Sequence, residues 1–344
     1  MALTPAQLTA LIYSEDFIAG PAVQEPKRGE EIFEGTDYPR EWSGFVGQDD
    51  AKEQLQIQIA SANARSARLE HTLLDSGTHG IGKSTLATLL AHKAGVGIQQ
   101  TSGPLDVEDA RRLMKPMQDR DILFIDEAHS LTQGGRNKGD WLLPFMTEGR
   151  LYTPSGAIDA PDITIVAATT DVGRLPQTII SRFMVRPTLV PYTPEEGAKI
   201  ATNLAARLGV TLPRGKTAQQ IAVAADYNPR AMRQILTGVR DLQFARPETH
   251  PNLEKAFEWA GVSEDGLTTL AREFLIILLT AKDNTASIES IKAQLGEPGP
   301  LKHEEQTLLK RSLITITGRG RQLTEGGRTR ALSELIHLRE KATA

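Results

Sequence analysis

The stretch Gly77-Thr78-His79-Gly80-Ile81-Gly82-Lys83-Ser84 decides how this chain is read. It satisfies the pattern G-x-x-x-x-G-K-[ST] at every fixed position, and its flanks supply the context such a string needs. His71-Thr72-Leu73-Leu74 before it reads as a short buried strand, and Thr85-Leu86-Ala87-Thr88-Leu89-Leu90-Ala91 after it as a helix. Gly77, Gly80 and Gly82 carry no Cβ, so the loop can wrap its backbone N–H groups around a polyphosphate. The helix N-terminus adds partial positive charge. Lys83 is expected to reach the β- and γ-phosphates, the Ser84 hydroxyl to ligate Mg²⁺, and Thr85 to complete the phosphate-facing turn. The stretch predicts a nucleoside triphosphate site.

Working outward, Asp121-Ile122-Leu123-Phe124-Ile125-Asp126-Glu127 places four apolar residues ahead of two carboxylates. That describes a buried strand delivering acids at its carboxyl end, where ligands sit in parallel sheets. Asp126 is expected to hold Mg²⁺, mostly through water, and Glu127 to polarise the attacking water as general base. Ile163-Thr164-Ile165-Val166-Ala167-Ala168-Thr169-Thr170 is a second β-branched strand, ending in two hydroxyls. A hydroxyl there can position the lytic water and report loss of the γ-phosphate. Ser181-Arg182-Phe183 follows a short helix, Pro176–Ile180, and offers an arginine to a neighbour's nucleotide. Asn228-Pro229-Arg230 opens another helix, Pro suiting its first turn.

Composition bounds the rest. The chain has 344 residues, room for two or three domains, and a net charge of −4, so any polyanion-binding surface must be local. It contains no cysteine, which excludes disulfides and thiolate chemistry. The histidines show no metal-ligand spacing, and the first residues lack the features of a signal peptide. The longest apolar run, Phe274 to Leu279, is too short to span a membrane, so the expected location is cytoplasmic. Residues 1–37 read as an N-terminal extension and linker, with a short helix at Ala6–Tyr13 and a Gly-, Pro- and charge-rich stretch from Gly20 to Gly35. Residues 38–187 alternate strands (Thr72–Leu74, Gly97–Thr101, Ile122–Ile125, Ile163–Ala168) with helices, the pattern of a doubly wound α/β domain. Residues 188–262 read as a small helical lid with helices at Pro194–Leu208, Thr217–Ala225 and Pro229–Leu242. Residues 263–344 give helices at Gly266–Thr280, Ser287–Leu295 and Lys302–Arg311. Strands follow at Leu313–Thr317 and Arg321–Thr324, completing a winged-helix arrangement with a two-stranded wing.

In this order the motifs resemble those of the AAA+ ATPases, and within them the RuvB type of Holliday-junction branch-migration motor. The likeness runs from about Tyr38 to the end. Phe45-Val46-Gly47-Gln48 is similar to the family's segment ahead of the core, Thr101-Ser102-Gly103-Pro104 to its next strand and turn, and Asp126-Glu127-Ala128-His129 to its acidic box. Asn228-Pro229-Arg230 stands where the family has Thr-Pro-Arg, and Gly318-Arg319-Gly320-Arg321 resembles its Pro-Arg-Gly-Arg wing. The resemblance implies ATP and Mg²⁺ as ligands, Thr169 as first sensor, Arg230 as second, and Arg182 as a finger acting in trans within a homohexameric ring. It places the adenine pocket near Tyr38, Phe45 and Val46. It also implies branched duplex DNA and a junction-binding RuvA-like or other partner protein. This chain is a divergent member: Asp171 follows the sensor threonines where the family has Arg, and Ile180 replaces a second Arg before the finger. Glu148 to Asp162 leaves room for only a stub of the partner-docking hairpin, which points to a different partner.

For DNA, Lys310, Arg311, Arg319, Arg321, Arg328 and Arg330 make a basic stretch opposed by Glu325 alone. Arg319 and Arg321 flank Gly320, where a missing Cβ is expected to admit a phosphate. Aromatic residues are absent there, which favours duplex over stacked single strands. The favoured reading is a DNA translocase. An ATP-dependent loader that places a partner on DNA, and an ATP-assembled DNA-binding regulator, are the alternatives.

Overall fold

The computed structural model describes residues 24–131, 139–212, 217–245, 253–296, 299 and 301–343. The helix expected at Ala6–Tyr13 lies outside these residues. Chain contacts divide into two units, Met1–Tyr192 and Thr193–Ala344.

The first unit is built on strands β1 (Thr72–Asp75), β2 (Ile98–Ser102) and β3 (Ile122–Asp126), a hairpin of β4 (Arg150–Thr153) and β5 (Gly156–Asp159), and β6 (Thr164–Thr169). β1, β6, β3 and β2 lie side by side in that order, all parallel. β3 and β6 are buried on both faces from Ile122 to Ile125 and from Thr164 to Thr169, which is why they read as unbroken apolar runs rather than alternating ones. The register levels their carboxyl ends: Asp75 stands opposite Thr169, Ile125 opposite Ala167, and Ser102 opposite Asp126. Parallel strands need helical crossovers, and these include Lys83–Ala94 and Val107–Met114, the latter started by a reciprocal Asp106–Asp109 capping box. His71, just before β1, accepts the Ile165 amide on Nδ1 at 2.9 Å. Burial, aided by the charge of Arg68, pushes this imidazole down to about 3, so it is a neutral structural group.

Both outer strands are covered by short segments. The Leu73 amide donates to the Val185 carbonyl (2.9 Å) and the Leu189 amide to the Asp75 carbonyl (2.7 Å) on the β1 side. On the β2 side Lys27 and Ile98 exchange two backbone hydrogen bonds. The stretch to Gly35, expected as linker, is therefore docked from Lys27 onward. Ile32 and Phe33 are buried, and Phe33 meets His92 edge-on at 4.8 Å. Arg28 grips Asp121 through two bonds of 2.7 and 3.0 Å, and Asp121 also accepts the Gly97 and Gln118 amides. Flexible-chain composition concealed two buried apolar side chains and a bidentate pair, interactions that only a folded sheet edge can supply.

The second unit starts with helices Pro194–Arg207, Thr217–Ala224, Pro229–Ala245 and Leu253–Trp259. The first is fixed by a Thr193–Glu196 capping box with Pro194 in the opening turn. Helices Thr269–Thr280, Ile288–Leu295 and Lys302–Lys310 follow, packed on a core of Phe274, Leu275, Leu278, Ile291, Leu308 and Ile314. The wing has three strands rather than the expected two. β7 (Thr285–Ala286), β8 (Ile314–Thr317) and β9 (Gly320–Leu323) pair antiparallel in the order β7-β9-β8. A closing helix, Glu325–Thr343, packs against Thr269–Thr280. No helix among the described residues is long and apolar enough to cross a membrane.

Replacing Arg28 with alanine leaves the buried Asp121 carboxylate two hydrogen bonds short, an expected loss of roughly 1–3 kcal/mol. Urea unfolding of the intact chain, followed by tryptophan fluorescence, should show the midpoint fall with an unchanged slope.

Candidate active site

The phosphate loop joins β1 to the helix Lys83–Ala94. Gly77, Gly80 and Gly82 all have positive φ (57°, 72° and 107°), so the turn depends on residues without a Cβ penalty. A Cβ on Gly82 would also lie 3.1 Å from the Phe45 ring. Phe45 and Val46 are buried, and the Phe45 carbonyl accepts from Lys52 Nζ at 3.0 Å. Gln48 pairs twice with the Val190 backbone, and the Tyr192 hydroxyl donates to the Ile81 carbonyl at 2.9 Å. The loop is thus clasped from outside by Phe45, which precedes it, and by Tyr192, 111 positions beyond Ile81. Tyr38 is half-buried ahead of this clasp.

Lys83 is buried, its Nζ donating to Ser76 Oγ (2.9 Å) and the Thr78 carbonyl (3.1 Å). Ser84 and Thr85 occupy the first turn of the helix, and Ser84 Oγ stands 3.4 Å from Asp126 Oδ2. Glu127 takes a left-handed conformation (φ 49°), uncommon without glycine, which turns the chain sharply off β3. Its amide donates to Asp126 Oδ1 at 2.9 Å and its carbonyl accepts from Ser130 Oγ at 2.7 Å. The Glu127 carboxylate is met by His79 Nδ1 on Oε1 (3.3 Å), and by His129 Nδ1 and Thr170 Oγ1 on Oε2 (both 3.3 Å). Thr169 is buried, accepting the Asp171 amide at 3.0 Å and facing His129 Nδ1 at 3.1 Å. The strand-end hydroxyl nearest the carboxylate is therefore Thr170, while Thr169 sits one contact further back.

This arrangement fits a Mg²⁺-bound triphosphate: a Cβ-free cradle, a buried ammonium aimed into it, and a hydroxyl beside a carboxylate, the oxygen donors a hard cation takes. The structure draws together Gly77, Gly80, Gly82, Lys83, Ser84, Asp126 and Glu127, which the sequence had only in order. It adds Ser76, His79 and Tyr192, and of the two hydroxyls expected at the end of β6 it brings Thr170 to the Glu127 carboxylate. Ser76 and His79 adjoin or lie within the loop string, where the pattern asks nothing of them, and Tyr192 carries no local signal at all. Arg182 is exposed beyond the short helix Gln177–Ile180. Arg230 is exposed in the first turn of its helix, whose N-terminus is capped by Asn228 Oδ1 accepting the Arg230 amide at 3.0 Å.

The basic stretch of the second unit divides. Lys310, Arg319 and Arg328 are exposed, with Arg319 in the two-residue turn between β8 and β9. Arg321 is held by Glu305 at 2.7 Å. Arg311 bonds the Asp265 carbonyl and Asp226 Oδ1, and Arg330 takes Asp265 and Glu334. Of the five residues expected at phosphates, Arg311 and Arg321 are thus engaged in internal pairs, as is Arg330 of the same basic stretch, because carboxylates folded beside them close on them. A Cβ on Gly320 would lie 2.3 Å from the Ala286 carbonyl, so its absence makes room for β7.

A parallel sheet with a phosphate loop at its carboxyl edge, facing an acidic pair at the end of β3 one strand beyond β6, defines a P-loop ATPase of the AAA+ class. Residues 38–189 match the family described as the Holliday junction DNA helicase RuvB P-loop domain. The chain is 33% identical over 332 residues to the Holliday junction branch migration complex subunit RuvB of Gluconobacter oxydans, covering 91% of this chain and 92% of that one. It is 32% identical over 310 residues to the same subunit of a Nitratiruptor species, covering 86% and 91%. The solved structure of the Thermotoga maritima RuvB Holliday junction branch migration motor is similar with a TM-score of 0.68 at 26% identity, over 85% of this chain and 97% of that one. This chain belongs to the RuvB family.

Asp265 gives the second unit a pH signature. Burial raises its carboxyl, but hydrogen bonds from Arg330 and Ser263, with the charges of Arg330 and Arg311, outweigh that and hold it at about 2 against an ordinary 3.8. A depressed carboxyl stabilises the fold above its unfolded value and ceases to do so as pH falls through its folded one. The stability gap between wild type and Asp265→Asn should be full near neutrality and shrink between about pH 4 and pH 2. Urea midpoints measured across that window check it.

Proposed function

We propose that this chain is an ATP-hydrolysing ring motor of the RuvB type that drives branch migration of four-way DNA junctions. The observation that carries the ATPase half is the meeting of Ser84 with Asp126 at 3.4 Å, with Glu127 turned toward the crest of the phosphate loop. Membership of the RuvB family supports the junction half.

In this reading the Gly77–Ser84 backbone cradles the phosphates, and Lys83 exchanges its Ser76 and Thr78 bonds for phosphate oxygens. Ser84 and Asp126 would hold Mg²⁺, which supplies charge neutralisation on the phosphates. Glu127 accepts a proton from the attacking water, and Thr169 senses the γ-phosphate with Thr170 beside the base. Arg182, exposed at the end of its helix, reaches the nucleotide of an adjacent subunit in a homohexamer. Arg230 acts as the second sensor, and Tyr38, Phe45 and Val46 line the adenine side. Duplex DNA is held by phosphate contacts from Arg319, Lys310 and Arg328, a sequence-independent grip suited to movement along a duplex. Arg311 and Arg321 contribute by shaping the wing. A junction-binding partner protein, RuvA-like or other, joins the assembly, which works in the cytoplasm.

The purified protein should dissociate a labelled four-way junction in an ATP-dependent manner, and Lys83→Ala should not. ATP hydrolysis with the junction left intact would instead favour a loader, or a motor that requires its partner. A separate expectation concerns the ring. Arg182→Ala should bind ATP yet hydrolyse it at least tenfold more slowly, as trans fingers contribute large factors. Mixing it with Glu127→Gln subunits should restore part of the turnover, because some interfaces then hold one intact copy of each group. Mixed rings without any recovery would argue against a shared site.

A further inference from the structure

His79 sits within the phosphate loop at a position the loop pattern leaves open, and the mechanism above gives it no part. Its Nδ1 lies 3.3 Å from Glu127 Oε1. Ionised carboxylates accept and never donate, so the imidazole presents Nδ1–H to the oxygen. The other carboxylate oxygen is met by His129 Nδ1 and Thr170 Oγ1. Glu127 is therefore contacted from three separate elements: the crest of the loop, its own turn after β3, and the end of β6. Of these contacts, His79 is the one carried by the element that holds the phosphates.

We propose that His79 is a positioning residue for the general base, tying the Glu127 carboxylate to the phosphate loop so that base and γ-phosphate keep one relative geometry. This rests on Glu127 being the base. The physical case is one of freedom. A glutamate has three side-chain torsions, and Glu127 is only partly buried, so packing alone does not fix its carboxylate. A base must be held to about half an ångström to work at full rate. His129 and Thr170 restrain Oε2 from the sheet side, and His79 restrains Oε1 from the nucleotide side. Removing the imidazole leaves one oxygen hinged and the carboxylate able to swing about the other. His79 is itself well exposed, so it contributes little to packing, and its loss should not disturb the fold.

The test is steady-state ATP hydrolysis by the full-length assembled protein with junction DNA, alongside direct binding of a fluorescent ATP analogue. His79→Ala should lower kcat roughly ten- to a hundredfold, the scale of a misplaced catalytic group. KM and analogue affinity should stay within about twofold. His79→Asn, whose amide can donate from near the Nδ1 position, should recover much of the lost kcat. A role in shaping the loop would move binding and kcat together and would not be rescued by Asn, and that pattern overturns the proposal. So does an alanine variant at wild-type kcat. Glu127→Gln, measured in parallel, separates the two levels. Wild-type turnover by that variant would remove the base assignment and this inference with it. An inactive Glu127→Gln beside an unaffected His79→Ala would remove this inference alone.

Discussion

The parallel pairing of β1 and β3 on either side of β6 is the constraint from which the site follows. Parallel strands point their carboxyl ends the same way, and this register brings Asp75 level with Thr169 and places Ile125 beside Ala167. The phosphate loop leaves β1, the acidic pair ends β3, and the two threonines end β6, so all three arrive on one edge. A slip of one residue would turn Asp126 to the opposite face of the sheet and lose its approach to Ser84. The apolar residues of β3 and β6 are all buried, so drawing either strand out of the centre of the sheet would expose them to water.

Backbone conformation then sets where each group points. Glu127 makes its sharp turn in a left-handed conformation, and the bonds from its amide to Asp126 and to its carbonyl from Ser130 hold it there. One carboxylate is thereby sent toward the first turn of the helix and the next toward the loop crest. On the other side, Phe45 against Gly82 and Tyr192 on the Ile81 carbonyl confine the loop from outside. A phosphate cradle so clasped keeps its shape without relying on the ligand to impose it.

The second unit uses its charges differently. Arg311, Arg330 and Arg321, basic in sequence, serve mainly to join elements. Arg311 reaches Asp226, in the turn that leads to Arg230, and also the Asp265 backbone, where Arg330 closes on the carboxylate. Asp226 and Tyr227 both have positive φ, so this turn is one that the surrounding contacts must hold. The helical part and the winged part are linked through it. A net charge read from composition cannot distinguish an arginine aimed at solvent from one closed on a buried carboxylate, because the difference lies in which acid is folded beside it.

Much was legible beforehand because it depends on local chemistry. Glycines at fixed spacing, Lys-Ser at a helix start and carboxylates closing an apolar run each have a physical reason that acts within a few residues. They set the α/β class, the strand positions to within a residue or two, and the place of the glycine-rich loop between β1 and its helix. The docking of Lys27 to Phe33, the third wing strand and the close approach of Gly320 to β7 were not legible, since each depends on a partner from a distant part of the chain: Ile98 and Asp121, Gln322 and Arg321, Ala286. The same holds for Glu127. Sequence alone determined that a carboxylate would end β3 beside a phosphate loop. Only the tertiary structure decided that His79, His129 and Thr170 surround it, because pairing of parallel strands sets which chain ends meet, and that pairing is written in no single stretch.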